Sequence, residues 1–314
     1  NGVKQYAEAN DKTYAYYRPT EDSNAARVAS IKSAIEKGAK VVVCPGYLFE
    51  TAIYEVQDDY ADVAFLLLDG TPQAGDYATY FTAENTHNIL YQEEQAGFLA
   101  GYAAVIDGYR ELGFVGGQAV PAVVRYGYGF VQGAEYAANE LELAVGAVNI
   151  KYYYADAFAG SDSLETKMDG WYAAGTEVVF ACGGKLYTSV VAAAENTEDG
   201  KVIGVDVDQV AESTEGVIIT SAMKGLTVSV VDSLTAFYGN EMAWPADMAG
   251  ETATLGASTD GIGLPTATAS WKFETFTVTQ YNAIFDKLVD GTIVVSNVTA
   301  TAPVVAKVTV DYAA

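Results

Sequence analysis

Apolar residues recur along the chain with two spacings, one typical of helices and one typical of buried strands. Residues 23–38 carry apolar side chains every three or four positions, which predicts an amphipathic helix. Ser23 or Asn24 can cap its start, and Gly38 can end it. Residues 41–44 then form a continuous apolar run, as expected of a strand in a parallel sheet covered on both faces.

The same alternation of strands and helices continues on both sides of this pair. An aromatic, alternating stretch predicts a strand at residues 12–18, and an apolar run predicts another at residues 63–69. Helices are predicted around residues 49–58 and within the first ten residues, where no residue well placed for capping precedes the helix. Strands that alternate with helices predict a doubly wound α/β fold.

The pattern occurs twice. When the chain is shifted by 137 residues (175 minus 38), residues 38–70 align with residues 175–207 without a gap. Glycines fall on glycines at the ends of equivalent helices and strands, and Asp69 falls on Asp206. The sequence therefore predicts two copies of one strand-and-helix unit.

One predicted strand accompanies only the second copy of the repeat. Residues 111–117, "ELGFVGG", predict a strand and a glycine-rich turn before the second copy, and the first copy has no counterpart. We therefore expect a strand and a loop to precede Asn1 in the natural protein.

Composition excludes several classes of function. Lys and Arg total 17 against 41 Asp and Glu, a net charge of −24, and such a surface repels nucleic acid. The single histidine, His87, leaves no basis for a histidine-dependent triad or a multi-histidine metal site. We expect no catalytic residue, metal or cofactor, and we interpret Cys44 and Cys182 as small buried residues at strand ends.

Ligands of open α/β sheets bind beyond the carboxyl ends of the strands. Asp206 ends an apolar strand, so it either caps the next helix or contacts a ligand. Lys224 is predicted to begin a helix, where a cation is unfavourable, which adds slightly to the case for a functional role, although a solvated lysine remains the default interpretation. Phe158 and Tyr47 lie in loops, where an aromatic residue is either partly buried or a ligand contact. Glycines, aromatic rings and carboxylates suit a small, uncharged polar ligand.

Several ordered motifs identify a family resemblance. The motifs are spread over most of the chain: "EEQAGFLAGYAA", "LGFVGGQAVPAVVRYGYGFVQGAEYA", "VIGVDVDQ", "ITSAMK" and "FETFTVTQYNAIFDKLVDGTIVV". With these motifs the chain resembles the basic membrane protein family, the substrate-binding lipoproteins of ABC importers, whose best-understood members are purine nucleoside receptors. The resemblance implies two Rossmann-like domains, the type I periplasmic-binding-protein fold, a hinge of three crossing segments, and closure on a ligand.

The resemblance also assigns roles to residues. Asp206 would take the ribose hydroxyls and Phe158 would stack on the base. Backbone at Gly183 and Gly184 would line the cleft, with Lys224 beside the ligand. Asp69 and Tyr47 would complete the opposite wall. A further aspartate and aromatic residue of the family, in a loop after its first strand, would precede the start of this chain.

The resemblance implies an organisation and a location as well. The N-terminal lobe would comprise residues 1–91 and about 222–255, without its first strand, and the C-terminal lobe residues 92–221 and about 256–314. The protein would act as a monomer outside the cytoplasm, anchored to the membrane by a lipid on a leader outside this chain. It would bind a small molecule, a purine nucleoside by resemblance, and deliver it to an ABC transporter permease.

Three other functions fit the same residues. A receptor of this fold could bind a sugar or another small molecule instead. A glycosidase could use Asp69 and Asp206 as paired carboxylates, although no acid, base or nucleophile constellation accompanies them. The core of a transcriptional regulator shares the fold, but the sequence shows no helix-turn-helix and carries the wrong charge for DNA.

Overall fold

A computed structural model describes residues 1–314. The strands, numbered along the chain, are β1 (Val41–Pro45), β2 (Ala64–Leu68), β3 (Thr86–Tyr91), β4 (Glu111–Gly116), β5 (Val148–Tyr154), β6 (Val178–Cys182), β7 (Lys201–Asp206), β8 (Ile218–Lys224), β9 (Thr252–Leu255), β10 (Ile262–Gly263) and β11 (Val308–Asp311). The helices are α1 (Gly2–Ala9), α2 (Asn24–Glu36), α3 (Glu50–Val56), α4 (Glu93–Asp107), α5 (Pro121–Glu140), α6 (Asp162–Ala173), α7 (Tyr187–Glu195), α8 (Leu226–Gly239) and α9 (Val278–Val289). The predicted α/β class is confirmed.

The chain divides into two compact units. Unit 1 comprises Asn1–Tyr91 and Gly225–Leu255, and unit 2 comprises Gln92–Lys224 and Gly256–Ala314. Each unit is therefore built from two separate pieces of chain, and the chain passes from one unit to the other three times. Residues 222–224, expected in the N-terminal lobe, belong to β8 of unit 2.

Unit 1 contains a four-stranded parallel sheet in the order β1-β2-β3-β9. All five side chains of β2 are buried, as a continuous apolar strand inside a covered sheet requires. Ser23 caps α2 by accepting a hydrogen bond from the Ala26 N–H, which confirms one of the two predicted caps. Helix α1 packs against α8, where the Tyr6 and Tyr238 rings stack with their centroids 5.6 Å apart.

The strand predicted at residues 12–18 is wrong. Residues 12–19 form neither a helix nor a strand, and Tyr16 is 68% exposed. A strand needs a hydrogen-bonded neighbour, and β1, the edge of this sheet, pairs only with β2. The corresponding strand of unit 2, β5, lies between β4 and β11. The alternating pattern is therefore present in unit 1, but no strand lies beside it to complete a ladder.

Unit 2 contains a seven-stranded sheet in the order β10-β8-β7-β6-β4-β5-β11. Only the short β10 is antiparallel to its neighbour. One face of the sheet is covered by α6 and α7, whose Met168, Trp171 and Val190 are buried with Val179 and Val202 in a single apolar cluster. Because the other strands of this sheet are parallel, their carboxyl ends share one edge of the sheet. The predicted site residues of unit 2 lie at this edge.

The predicted repeat is confirmed by the backbone. Strands β1 and β6, helices α3 and α7, and strands β2 and β7 begin 137 residues apart (178 minus 41, 187 minus 50, and 201 minus 64). Asp69 and Asp206 both adopt the left-handed backbone conformation, with φ of 61° and 64°. That conformation is uncommon for residues other than glycine, although aspartate adopts it more readily than most. Its recurrence at equivalent positions shows that the two strand ends have the same local fold.

Candidate functional site

The five candidate residues of unit 2 lie along one edge of its sheet. Asp206 is the last residue of β7, Lys224 is the last residue of β8, and Gly183 and Gly184 directly follow β6. Phe158 lies in the loop that follows β5. Because β5, β6, β7 and β8 are parallel, their carboxyl ends meet at the edge where α/β folds bind ligands.

Asp206 is held by two neighbours in unit 2. Its Oδ1 lies 3.3 Å from the Tyr126 hydroxyl and 3.6 Å from Lys224 Nζ. The short helical turn that follows β7 begins after Gln209 and has no side-chain cap. The sequence left a cap and a ligand contact open for Asp206, and the structure does not show the cap. The Asp206 side chain is 38% exposed, so the carboxylate remains accessible to a ligand.

Lys224 occupies a different position from the predicted one. It ends β8 rather than beginning a helix, since α8 starts at Leu226. Lys224 therefore does not lie in the first turn of a helix, where a cation would be unfavourable. The side chain is 4% exposed, and its ammonium lies 3.1 Å from Glu93 Oε1 and 5.4 Å from the centroid of the Tyr126 ring. Two carboxylates and an aromatic face thus stabilise a buried cation.

Glu93, Glu94 and Arg125 complete this charged cluster, and none of them was among the predicted site residues. Arg125 Nε donates to Glu93 Oε2 at 2.6 Å and lies 3.8 Å from Glu94 Oε2. Both glutamates begin α4, where an acidic residue is favourable for the helix dipole, and their side chains are 1% and 3% exposed. The signal in the sequence was weak, because acidic residues in a first helical turn are ordinarily solvated.

The two glutamates have opposite electrostatic environments. Burial would raise the pKa of Glu93, but the charges of Lys224 and Arg125 outweigh it and hold that pKa below its usual value. Burial raises the pKa of Glu94 to about 7, and the neighbouring Glu93 charge adds to the rise. Glu93 is therefore ionised at neutral pH, whereas Glu94 retains a proton below about pH 7.

Close packing of α4 on α5 positions this cluster. A Cβ on Gly129 would lie 2.1 Å from the backbone oxygen of Glu94, and one on Gly97 would lie 2.1 Å from that of Tyr126. Only glycine allows such an approach of two helix backbones. The contact places the first turn of α4, which carries Glu93, beside the part of α5 that carries Arg125.

Phe158 packs against glycine backbone at the same edge of the sheet. Its ring would contact an added Cβ on Gly117 at 2.4 Å and one on Gly183 at 2.9 Å. The Lys185 N–H donates to the Phe158 carbonyl at 2.7 Å, which fixes the loop. Gly183 and Gly184 have φ of 138° and 54°, a region that other residues rarely adopt. The structure thus brings three predicted residues together and adds Gly117 to them.

The two candidates of unit 1 lie at equivalent strand ends. Asp69 follows β2, and its N–H donates to the Ile89 carbonyl at 2.8 Å. Tyr47 begins a short 3-10 helix one residue after Gly46, and burial raises the pKa of its hydroxyl. The Gly46 N–H donates to the Leu68 carbonyl at 2.8 Å, which brings the ends of β1 and β2 together.

The cysteines and the histidine are structural. Cys44 and Cys182 are buried and free, and burial raises the pKa of the Cys44 thiol to about 12 and that of Cys182 well above its usual value. Neither is a reactive thiolate at neutral pH. His87 is 3% exposed and lies 3.0 Å from the Met248 and Glu251 carbonyls, and burial lowers its pKa.

A protein-family comparison identifies the chain. The family described as "ABC transporter substrate-binding protein PnrA-like" matches residues 1–297. The chain belongs to this family. The resemblance predicted from sequence motifs is therefore confirmed, and with it the assignment to the substrate-binding proteins of ABC transporters.

Relatives within the family are distant. Basic membrane protein B of Borreliella burgdorferi is 27% identical over 242 residues, which cover 76% of this chain and 67% of that protein. The ABC transporter nucleoside-binding protein BmpA of Lactococcus lactis subsp. cremoris is 23% identical over 204 residues, 62% of this chain and 53% of that protein. The matched region thus spans about two thirds of the first relative and about half of the second.

A solved structure confirms the fold. The crystal structure of an ABC transporter solute-binding protein from Aeropyrum pernix K1 superposes with a TM-score of 0.72 at 18% identity, covering 94% of this chain and 87% of that chain. The predicted type I periplasmic-binding-protein fold is confirmed by this likeness. Members of the family are extracytoplasmic solute-binding proteins. No helix of this chain combines the length and apolar character needed to cross a bilayer.

Proposed function

We propose that this protein is the extracytoplasmic receptor of an ABC importer, that it binds a purine nucleoside, and that it delivers this ligand to the permease without chemical turnover. The observation that carries the proposal is the arrangement around Asp206. A partly exposed carboxylate at a strand end, held by Lys224 and Tyr126, can accept two hydrogen bonds from vicinal ribose hydroxyls.

Other features support a flat, ring-shaped ligand. Phe158 is half-buried and backed by glycine, so one face of its ring is supported while the loop remains at the binding edge of the sheet. Gly183 and Gly184 allow a ligand to approach the backbone closely. Asp69 and Tyr47 are proposed to contribute equivalent contacts from unit 1. The nucleoside-binding name of the Lactococcus lactis relative agrees with this ligand class.

The proposal extends to location and assembly. We place the mature protein on the outer face of the membrane as a lipid-anchored monomer. A relative from Pyrococcus furiosus is named as a lipoprotein and is 26% identical over 240 residues.

Binding measurements test the ligand class. Isothermal titration of the purified chain with adenosine, guanosine, ribose and glucose should give submicromolar affinity for a purine nucleoside and none for the free sugars. Binding of a sugar but of no nucleoside would replace the proposed ligand. Release of free base during overnight incubation with nucleoside, detected by chromatography, would contradict a function without turnover.

A further inference from the structure

Glu93 lies at the centre of the charged cluster of unit 2 but has almost no contact with solvent. Its two carboxylate oxygens are divided between two cations, with Oε1 3.1 Å from Lys224 Nζ and Oε2 2.6 Å from Arg125 Nε. The side chain is 1% exposed. This buried carboxylate therefore joins Arg125 to the buried Lys224, and through Lys224 to the partly exposed Asp206.

Stability alone is a weak reason for such a cluster. Removing charges from water is costly, and well-packed apolar residues commonly stabilise a protein as well as a buried ion pair does. A buried ion pair does fix geometry, because a charged group without its partner is strongly disfavoured. The charged cluster is therefore better explained as a means of fixing the position of one of its charged groups.

Glu93 lies close to the points where the chain enters and leaves unit 2. It is the second residue after the chain enters unit 2, and Lys224 is the last residue before the chain leaves it. Gln95, on the same turn of α4, accepts a hydrogen bond from the Ala257 N–H at 2.7 Å, just after the chain re-enters unit 2. The first turn of α4 thus holds the ends of β8 and of the last crossing segment in unit 2.

We propose that Glu93 is a positioning residue of the ligand site, whose carboxylate, oriented by Arg125, holds the Lys224 ammonium beside Asp206. This inference rests on the proposed function, in which Asp206 and Lys224 contact the ligand. By neutralising Lys224, Glu93 leaves the Asp206 carboxylate its negative charge for ligand hydroxyls. The distances agree with this division, since Lys224 Nζ is closer to Glu93 at 3.1 Å than to Asp206 at 3.6 Å.

The protonation of Glu94 keeps Arg125 available to Glu93. Glu94 Oε2 is buried without a hydrogen bond and lies 3.8 Å from Arg125 Nε. Because burial raises the pKa of Glu94 to about 7, it is neutral in mildly acidic solution and competes weakly for the guanidinium. The charges facing Glu94 are Glu93 on its own helix and Arg125 on α5. Measurements at pH 6 therefore isolate the contribution of Glu93.

Substitution of Glu93 tests the proposal at the ligand site. Glu93→Gln keeps the shape of the side chain but removes its charge, and we expect adenosine or guanosine to bind at least tenfold more weakly at pH 6. Asp162→Asn is the matched control, because Asp162 is the first residue of α6, as Glu93 is of α4, but is exposed. The control should bind within twofold of the wild type.

A second readout does not depend on the ligand. The rate at which acetic anhydride modifies Lys224, measured by peptide mass spectrometry, reports whether the ammonium keeps its position. We expect modification to be several-fold faster in Glu93→Gln and unchanged in Asp162→Asn. If Glu93→Gln does not fold, Glu93→Asp preserves the charge but shortens its reach, and both effects should appear in reduced form.

The two readouts separate failure of the inference from failure of the proposed function. If no nucleoside binds the wild type, the proposed function fails and the modification rate alone decides the positioning role of Glu93. Where the wild type binds a nucleoside, unchanged affinity in Glu93→Gln overturns the inference. Weaker binding with unchanged Lys224 reactivity also overturns it, because Glu93 would then act by another route.

Discussion

The two copies of the repeat share their backbone but differ in what surrounds it. In unit 2, β4 lies between β5 and β6, and the sheet continues to seven strands. In unit 1, the counterpart of β6 is the edge strand β1, and the counterpart of β5 is an irregular segment. A similar aromatic segment therefore forms a strand only where a neighbouring strand exists. Local sequence specifies which face is buried, and the neighbours determine whether a ladder forms.

The strand ends differ in charge as well as in neighbours. Asp206 of unit 2 is joined to Lys224, which in turn contacts the acidic start of α4. The helix of unit 1 that corresponds to α4 is α8, which starts with Leu226 and Thr227 and has no acidic residue in its first turn. The two copies thus present similar backbones but unequal electrostatics, so matched substitutions should have unequal effects.

The largest difference is expected at the helix contacts. A Cβ on Gly133 of α5 would lie 2.0 Å from the Phe98 backbone oxygen, whereas one on the corresponding Gly2 would lie 2.7 Å from Val230 Cβ and 2.8 Å from the Thr227 backbone oxygen. Because the closer overlap at Gly133 requires a larger shift of the helix backbone, we expect Gly133→Ala to reduce the free energy of unfolding by about 3 kcal/mol and Gly2→Ala by about 1 kcal/mol. Urea denaturation measures both.

Gly170 of α6 provides the control for this pair. Nothing lies within 4 Å of a Cβ added there, so Gly170→Ala should be neutral or stabilising by up to about 1 kcal/mol. Equal losses at Gly133 and Gly2 would show that the two helix contacts are equally tight.

The next largest effect concerns the paired aspartates. Asp206→Ala removes the proposed hydroxyl contact and leaves Lys224 with one carboxylate fewer, so nucleoside affinity should fall about 100-fold, or about 2.7 kcal/mol. Asp69→Ala should reduce affinity about tenfold. Isothermal titration distinguishes these values, and a greater loss at Asp69 would reverse the proposed order of the two units.

Glu94 gives the third prediction, which concerns pH. Its folded-state pKa of about 7 lies above its ordinary value of 4.5, so the folded protein binds a proton that the unfolded chain releases. The resulting stability is complete below about pH 4.5 and is lost as the pH rises through about 7. Glu94→Gln, which imitates the protonated form, should match the wild type near pH 5 and be about 2 kcal/mol more stable at pH 8.

Thermal unfolding between pH 5 and 8 measures this difference. The matched change in unit 1, Thr227→Val, introduces no titrating group and should give the same offset from the wild type at every pH. A Glu94→Gln variant whose offset from the wild type does not change with pH would disprove the assigned ionisation.

The smallest effects are expected at the segment that is a strand in only one unit. Tyr153 lies in β5, is half-buried, and has Lys167 Nζ 4.2 Å from its ring centroid. Its counterpart Tyr16 is 68% exposed. Tyr153→Ala should cost about 1 to 2 kcal/mol of unfolding free energy, and Tyr16→Ala less than about 0.5 kcal/mol. A cost at Tyr16 equal to that at Tyr153 would indicate that residues 12–18 are packed after all.

The sequence predicted what depends on local pattern and repetition. The cap at Ser23, the paired strands β1 with β6 and β2 with β7, and the equivalence of Asp69 with Asp206 all follow from spacing, and the structure contains each of them. The family also followed from ordered motifs. These features can be predicted from the sequence because they depend on residues near one another in the chain, or on the constant offset between the two copies of the repeat.

What the sequence did not predict depends on contacts between distant segments. The Glu93–Lys224 ion pair joins residues 131 positions apart (224 minus 93), and nothing in the local pattern of either residue indicates the other. The position of Lys224 was missed because the end of β8 is set by its pairing with β7 and β10. The contact of Gly117 with Phe158 likewise requires the β5 loop to fold over β4.

The interleaving of the two units along the chain has a consequence for biosynthesis. Unit 1 is the first to leave the ribosome, yet β9 and α8, which complete its sheet and cover α1, are encoded after residue 224. Domains synthesised first generally fold first. Here the first 91 residues must remain incomplete while most of unit 2 is made, so unit 1 is expected to reach its final structure only after residue 255 has been synthesised.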